Sequence, residues 1–165
     1  MDDRLFARAY AHLMDEAALL DARAFLDWHA TLHPDIRYRV YANLVRMHGE
    51  TGVLGAPLFL ENHASLRTRC EQLSTPGFSV ADNPPAATRH FVSNVRLREA
   101  DEPGCCAVES YVLVYRTRGS DLPPYFFSAG RLDVYAVTAD GLRLRDRQVR
   151  CDDAIIGTRN LNFFL

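Results

Sequence analysis

The predicted architecture depends most on residues 89–151, which have the sequence RHFVSNVRLREADEPGCCAVESYVLVYRTRGSDLPPYFFSAGRLDVYAVTADGLRLRDRQVRC. Apolar and polar residues alternate with period two over four stretches of this segment, which is the pattern of half-buried strands. The clearest turn signal between them is the pair Asp140 and Gly141, because Asp-Gly favours a tight hairpin. We therefore predict four consecutive strands, at residues 89–98, 107–118, 126–137 and 142–151.

Helices are predicted before this segment. Apolar residues recur at three- and four-residue spacing between positions 5 and 17, which predicts an amphipathic first helix. Asp21 is a candidate N-cap for a second helix, which is expected to run through Leu32. Pro34 is expected to stop that helix, because the residue before a proline avoids the helical region.

The remaining connections complete the predicted order of elements. Residues 35–45 alternate with period two and predict one further strand. Residues 48–58 contain three glycines and a proline and predict a loop, a third helix is expected at 61–73, and the Pro- and Gly-containing stretch 74–88 predicts another loop. The tail 161–165 is apolar, so it is expected to dock on a protein surface and not to extend into water.

Helices followed by a long antiparallel sheet predict an α+β domain spanning residues 1–165. Three helices cannot cover both faces of a long sheet, so the sheet is expected to curve strongly and to close like a cone over the N-terminal helices. This cone, a cystatin-like roll, is the architecture of the nuclear-transport-factor-2-like superfamily, which includes steroid isomerases and dehydratases.

Composition limits the possible functions. The net charge is −2, so we expect no nucleic-acid partner, because nucleic-acid binders usually carry a basic excess. The sequence has no apolar run of about 18 residues, so no membrane association is expected. The first residues, MDDRLFARAY, lack a signal-peptide pattern, and the four cysteines form no C-x-x-C pair; we therefore expect a cytoplasmic protein with free thiols.

The sequence resembles one family within that superfamily, the β (small) subunits of Rieske-type aromatic-ring-hydroxylating dioxygenases. The resemblance covers nearly the whole chain in register. It is carried by EAALLDARAFLDWHATLHPDIRYRV (16–40), FLENHASLRTRCEQL (59–73), DNPPAATRHFVSNVRL (82–97), YVLVYRTR (111–118), SAGRLDVY (128–135) and RDRQVRCDDAIIGTRNLNFFL (145–165). The last block is the most specific. Phe78 stands where the family often has Trp, and Ala86 and Ala87 stand where Ser and Arg are common, which could alter contacts to a partner.

The resemblance implies a homotrimer that holds three catalytic α subunits in an α3β3 complex and takes no part in the chemistry. A Rieske [2Fe–2S] centre and a mononuclear iron are then expected in the α subunit, and no cofactor, metal or catalytic residue is expected in this chain. The cysteines agree, because a Rieske centre needs Cys-x-His and Cys-x-x-His pairs and no cysteine here has a histidine two or three positions later. His29 and His33 could chelate a metal from one helix face, but His33 lies directly before Pro34, where helix geometry fails, so no metal site is expected there.

Two polar clusters and the apolar tail are candidates for subunit contacts. The candidate residues are Asp82, Arg89, His90, Asn94, Arg131, Asp133, Arg147 and Phe164. Each cluster has a simpler interpretation. The first cluster, formed by Asp82, Arg89, His90 and Asn94, could be a salt bridge that fixes its own loop. The second, formed by Arg131, Asp133 and Arg147, could be an Arg–Asp–Arg ion pair that closes the cone, since Arg131 and Asp133 share one face of a strand.

An alternative function remains open. In a stand-alone isomerase or dehydratase, or in a small-ligand-binding protein, the cone would form the ligand pocket. Asp133, Asp35 or His90 would then be candidate bases, and one carboxylate in the pocket would have a raised pKa. The aromatic residues of the later strands fit a pocket, a core or a subunit interface. The aromatic substrate of the complex and its electron donor are not predicted.

Overall fold

The structure, a computed structural model, describes residues 3–44, 55, 57–78, 83–119, 123–158 and 160–165. These residues form three helices and six strands. In chain order they are α1 (Asp3–Asp21), α2 (Phe25–Ala30), β1 (Leu32–Tyr41), β2 (Pro57–Asn62), α3 (His63–Ser74), β3 (Ala87–Glu99), β4 (Cys105–Thr117), β5 (Tyr125–Thr138) and β6 (Gly141–Cys151).

The six strands form one sheet in the order β2-β1-β6-β5-β4-β3. All neighbouring pairs are antiparallel except β1 and β6, which run parallel. The four predicted C-terminal strands are confirmed, each within two residues of its expected bounds. The α+β class and the mainly antiparallel sheet are therefore confirmed.

The sheet curves around the helices, and we call the enclosed space the cone interior. Irregular pairing bends the strands at four places, which are between Leu32 and Arg37 and at Val40 in β1, between Ser93 and Arg96 in β3, and at Val134 in β5. Such bulges increase local twist and bend a strand. Helix α1 packs against β3 and β6, and α3 packs against β1 and β2. The buried core therefore lies between the helices and one face of the sheet.

The predicted start and end of the second helix were wrong. Asp21 is the last residue of α1, and α2 begins at Phe25 after Ala24, which makes no side-chain cap. The helix ends at Ala30, and Leu32 already belongs to β1. Pro34 lies inside that strand, where its fixed φ is compatible with extended backbone. The strand ends at Tyr41, and Val45 lies outside the described residues.

Strand β2 was missed in the sequence analysis. Its residues, PLFLEN, fall partly in the predicted loop and partly at the predicted start of the third helix. They pair with β1 at the edge of the sheet. The third helix begins at His63, because Asn62 and Ser65 form a reciprocal capping box there.

No helix in the described part of the chain is long and apolar enough to cross a membrane.

Candidate functional site

Four charged side chains meet in the cone interior. Glu16 comes from α1, Arg131 and Asp133 come from the inner face of β5, and Arg147 comes from β6. Asp133 and Arg147 face each other directly in the strand register. We call these four residues the ion network. Its three strand residues are those of the Arg–Asp–Arg ion pair that the sequence suggested.

Arg147 holds the ion network together. Its guanidinium donates to both carboxyl oxygens of Asp133 at 2.8 Å and to both oxygens of Glu16 at 2.8 and 2.9 Å. A fifth bond runs from Arg147 Nη1 to the main-chain oxygen of Leu165 at 2.7 Å. Every N–H of this guanidinium is therefore used, in the bidentate geometry that makes Arg–carboxylate pairs strong.

Uncharged groups satisfy further atoms of the network. The indole Nε1 of Trp28 donates to Glu16 Oε1 at 2.9 Å, and the Tyr135 hydroxyl donates to Asp133 Oδ2 at 3.2 Å. Arg131 is bound less completely, with contacts to Ser110 Oγ at 3.2 Å and Glu16 Oε2 at 3.4 Å. Among the described residues, nothing accepts a hydrogen bond from its Nη2.

The network is excluded from water and electrically balanced. Its members are at most 4% exposed, and two cations face two anions. Burial alone would raise the pKa of Glu16, but the positive charges of Arg147 and Arg131 hold it at about 2. Burial acts to lower the pKa of Arg147, but Asp133 and Glu16 raise it well above its ordinary value. Glu16 is therefore an anion at neutral pH and a poor proton acceptor.

Sequence reasoning missed Glu16, although its position carried a signal. The buried residues of α1 are Ala9, Leu13, Glu16 and Leu20, at spacings of four, three and four. Glu16 therefore continues the apolar stripe of the helix, and a charged residue on such a stripe needs a buried partner. The sequence does not show which partner that is.

The C-terminal tail packs inside the cone beside the ion network. The Phe164 ring is 4.4 Å from Trp28 and 5.5 Å from Phe25, centroid to centroid, and its residue is 1% exposed. Arg69 donates to the main-chain oxygens of Leu161 and Phe163. The tail predicted to dock therefore docks on its own chain.

His90 fastens the tail to α1. Its Nε2 lies 2.9 Å from the Phe164 main-chain oxygen, and its Nδ1 lies 2.6 Å from Asp21 Oδ1. Asp21 also accepts a hydrogen bond from the His90 backbone N–H at 3.0 Å. Both ring nitrogens thus face oxygen atoms, so His90 links the tail to the C-terminal end of α1.

The structure separates the other candidates for subunit contacts. Arg89 is largely exposed and lies 3.7 Å from Asp21 Oδ2. Asn94 is exposed in the β3 bulge with φ 53°, a left-handed conformation that asparagine tolerates. Asp82 lies outside the described residues. The buried candidates Arg131, Asp133, Arg147 and Phe164 offer a neighbouring subunit almost no surface, so any contribution there is through residues that they support, and that role stays a prediction.

The histidines considered as metal ligands lie apart. His29 is buried on α2 and its Nε2 lies 2.9 Å from the His63 main-chain oxygen. His33 is on β1, where its Nδ1 accepts from the Asp35 backbone N–H at 3.1 Å. Within the described ranges, no three His, Cys, Asp or Glu side chains are grouped as metal ligands.

Comparison with known proteins gives a family and a set of similar folds. A family model described as "Ring hydroxylating beta subunit" matches residues 15–158. A solved structure of naphthalene 1,2-dioxygenase with indole bound in its active site matches with a TM-score of 0.87 at 24% identity, covering 100% of this chain and 88% of that chain.

Two further solved structures are similar. The β subunit of benzoate 1,2-dioxygenase from Burkholderia mallei matches with a TM-score of 0.67 at 18% identity, covering 88% of this chain and 89% of that one. ActVI-ORFA from Streptomyces coelicolor matches with a TM-score of 0.64 at 24% identity, covering 90% of this chain and 98% of that one. At these identities the matches show the fold.

Proposed function

The chain belongs to the ring hydroxylating beta subunit family, and from that premise we propose that it is a non-catalytic structural subunit of an aromatic-ring-hydroxylating dioxygenase. In this proposal three copies form a core that binds three catalytic α subunits in a cytoplasmic α3β3 complex. The α subunits carry the Rieske [2Fe–2S] centre and the mononuclear iron, and they dihydroxylate an arene in aromatic catabolism.

The observation that carries the non-catalytic role is the occupied cone interior. A cone-shaped domain that bound a substrate would need free space and unsatisfied polar groups there. In this chain Arg147 and both carboxylates are fully engaged with one another, and the Phe164 side chain packs against Trp28 beside them. Protein side chains thus occupy the volume in which a ligand would sit.

The alternative of a stand-alone isomerase or dehydratase has less support. That function needs a base in the cone whose pKa is raised toward neutrality. The ion network contains two carboxylates, Glu16 and Asp133. The pKa of Glu16 is lowered to about 2, away from neutrality. Asp133 is 0% exposed and both of its oxygens are bound by Arg147. Asp35 is exposed on β1, away from the interior.

The rigid interior suits a scaffold. A buried, charge-balanced network favours one arrangement of its elements, because any other leaves charges buried without partners. Arg147 and both carboxylates are fully bonded here, although Arg131 Nη2 has no acceptor among the described residues. The network joins α1, β5, β6 and the tail of this chain. A domain fixed in this way presents constant surfaces to its partners.

Affinity purification of the tagged chain from its own host tests the proposal. We expect a larger protein to co-purify in equal amount, with iron and with the visible absorbance of a Rieske cluster. Dissociating the complex in high salt should give an isolated chain without dioxygenase activity. Adding that chain back to the iron-bearing protein should restore the assembly. Recovery of the chain without any iron protein, together with isomerase or dehydratase turnover, would contradict the proposal.

A further inference from the structure

The outer face of the sheet carries a contiguous apolar surface. Phe91 and Leu113 face each other across β3 and β4, and Tyr115 and Phe126 face each other across β4 and β5 with ring centroids 5.4 Å apart. With Tyr111 on β4, we call these five residues the outer aromatic surface. Phe91, Tyr111 and Phe126 are each more than half exposed.

The exposed area of this surface is that of an interaction patch. An aromatic side chain buries about 150–250 Å² when covered. The three rings that are more than half exposed, with smaller contributions from Leu113 at 38% and from the partly buried Tyr115, therefore offer on the order of 400–500 Å². That is comparable with the largest apolar patch of a typical monomer, and such patches commonly mark interaction sites. It would supply more than half of one side of a standard interface, about 800 Å².

A polar pocket adjoins the outer aromatic surface. We call it the arginine pocket; its volume is about 300 Å³, and Arg96, Arg150, Tyr111 and Gly130 contribute to its lining. Gly130 lies in the middle of β5 with no side chain to fill the outer face, which is where a strand allows a close approach. Glu109 also lines the pocket, but its carboxylate is paired with Arg98 at 2.8 Å. Neither Arg96 nor Arg150 has a carboxylate within ion-pair distance in the described ranges, so these two arginines leave the pocket suited to an acidic group.

The same chain carries a segment with the complementary chemistry. Residues 152–155, the acidic segment, have the sequence Asp-Asp-Ala-Ile, and Ile155 is 86% exposed. The backbone of this segment is held in place. Asp152 N–H donates to Ser128 O at 2.9 Å, and Asn43 donates to the main-chain oxygens of Asp152 and Asp153 at 2.9 and 3.0 Å. An anchored projection loses little conformational entropy on docking.

We propose that the acidic segment of one copy docks on the outer aromatic surface and arginine pocket of the next copy. Ile155 would cover exposed aromatic rings, and Asp152 would approach Arg96 and Arg150. This inference rests on the trimer of the proposed function and names the surfaces that build it. A closed ring of three requires two different surfaces on every copy, because only a twofold contact joins a surface to itself.

Two substitutions disable one surface each and leave the other intact. Gly130→Glu fills the arginine pocket and repels an incoming carboxylate. The protomer accommodates it, because an added Cβ would have only an ordinary contact, 4.0 Å from Tyr111 Cδ1. Ile155→Asp removes the exposed apolar group of the acidic segment. Leu60→Glu is the matched control, since Leu60 is 63% exposed on β2 and lies outside both surfaces.

Light scattering on each purified variant gives the first result. We expect the wild type and Leu60→Glu to be trimers, and Gly130→Glu and Ile155→Asp to be monomers of 18.6 kDa with unchanged circular dichroism. Mixing the two monomeric variants should produce a dimer of about twice 18.6 kDa and nothing larger, because only one intact interface can form between them.

Three outcomes would overturn the inference. A wild-type trimer that survives both substitutions would place the contact elsewhere and leave the trimer of the proposed function standing. A mixture that stays monomeric would show that the two surfaces do not meet. A wild-type monomer would refute the copy-to-copy contact, while binding of an iron-bearing α subunit, measured separately by co-purification, would still support the proposed function.

Discussion

Replacing Arg147 with methionine tests whether the ion network stabilises the folded chain. The substitution keeps an unbranched side chain of similar length and removes five hydrogen bonds, two to each carboxylate and one to the Leu165 main-chain oxygen. Asp133 and Glu16 then remain buried with Arg131 as their sole charged partner in the network. One negative charge is left uncompensated in the cone interior.

The expected loss of stability is large. Breaking a buried ion pair by removing one partner costs about 3–5 kcal/mol, because the remaining charge has lost its solvation and gained nothing in return. For a chain of 165 residues, this loss corresponds to a melting temperature lower by roughly 10 °C. An exposed pair should behave differently. Arg37 lies 2.6 Å from Asp146 Oδ2 but is 71% exposed, so Arg37→Met should cost less than about 1 kcal/mol.

Urea unfolding at pH 7 followed by circular dichroism measures both losses. Equal protein concentrations are needed, because assembly adds a concentration-dependent stability. A loss for Arg147→Met as small as that for Arg37→Met would refute the reasoning. A third variant, in which all four network residues are replaced by leucine or methionine, should recover most of the stability, since well-packed apolar groups often replace a buried ion network without loss.

Three further predictions concern acid, thiols and the tail. Because the folded-state pKa of Glu16 is lowered to about 2, its contribution, on the order of 3 kcal/mol, is complete above the ordinary value of 4.5 and is lost as the pH falls from about 4.5 to 2. The urea midpoint should therefore fall from pH 7 to pH 4 and again to pH 3, and Glu16→Gln should reduce this pH dependence. The same pH dependence in Glu16→Gln as in the wild type would contradict the assignment to Glu16. Burial raises the pKa of Cys70 and Cys151 to about 12 and that of Cys106 above its ordinary value, so a thiol reagent at pH 8 should label these three only after unfolding. Phe164→Ala should cost about 3–5 kcal/mol in the same urea assay, and a loss under 1 kcal/mol would show that the tail is not part of the core.

The sequence alone predicted the four long C-terminal strands, but it did not predict the short strand β2. Strands β3 to β6 have 11 to 14 residues each, long enough for alternation to be unmistakable. Strand β2 has six residues beginning Pro-Leu-Phe-Leu, without alternation, and its strand conformation depends on pairing with β1. That pairing is a tertiary contact, which local periodicity does not contain.

Asp21 and Glu16 show why the site was only partly predictable. The Asp21 side chain does accept a backbone N–H, as an N-cap would, but the donor is His90, which is 69 residues away. Likewise Glu16 lies visibly on an apolar helix face, while its partner Arg147 is 131 positions distant. Local patterns identify a residue that needs a partner, and only the folded topology determines which residue that partner is.

The solution mass of the purified chain, measured by light scattering with iron assayed on the same fractions, tests the central claim most directly. A structural β subunit should have a mass near three times 18.6 kDa, about 56 kDa, without iron, and should bind an iron-bearing α subunit in equal numbers. A stable monomer or dimer that turns over a substrate by itself, or one iron per chain, would contradict the account.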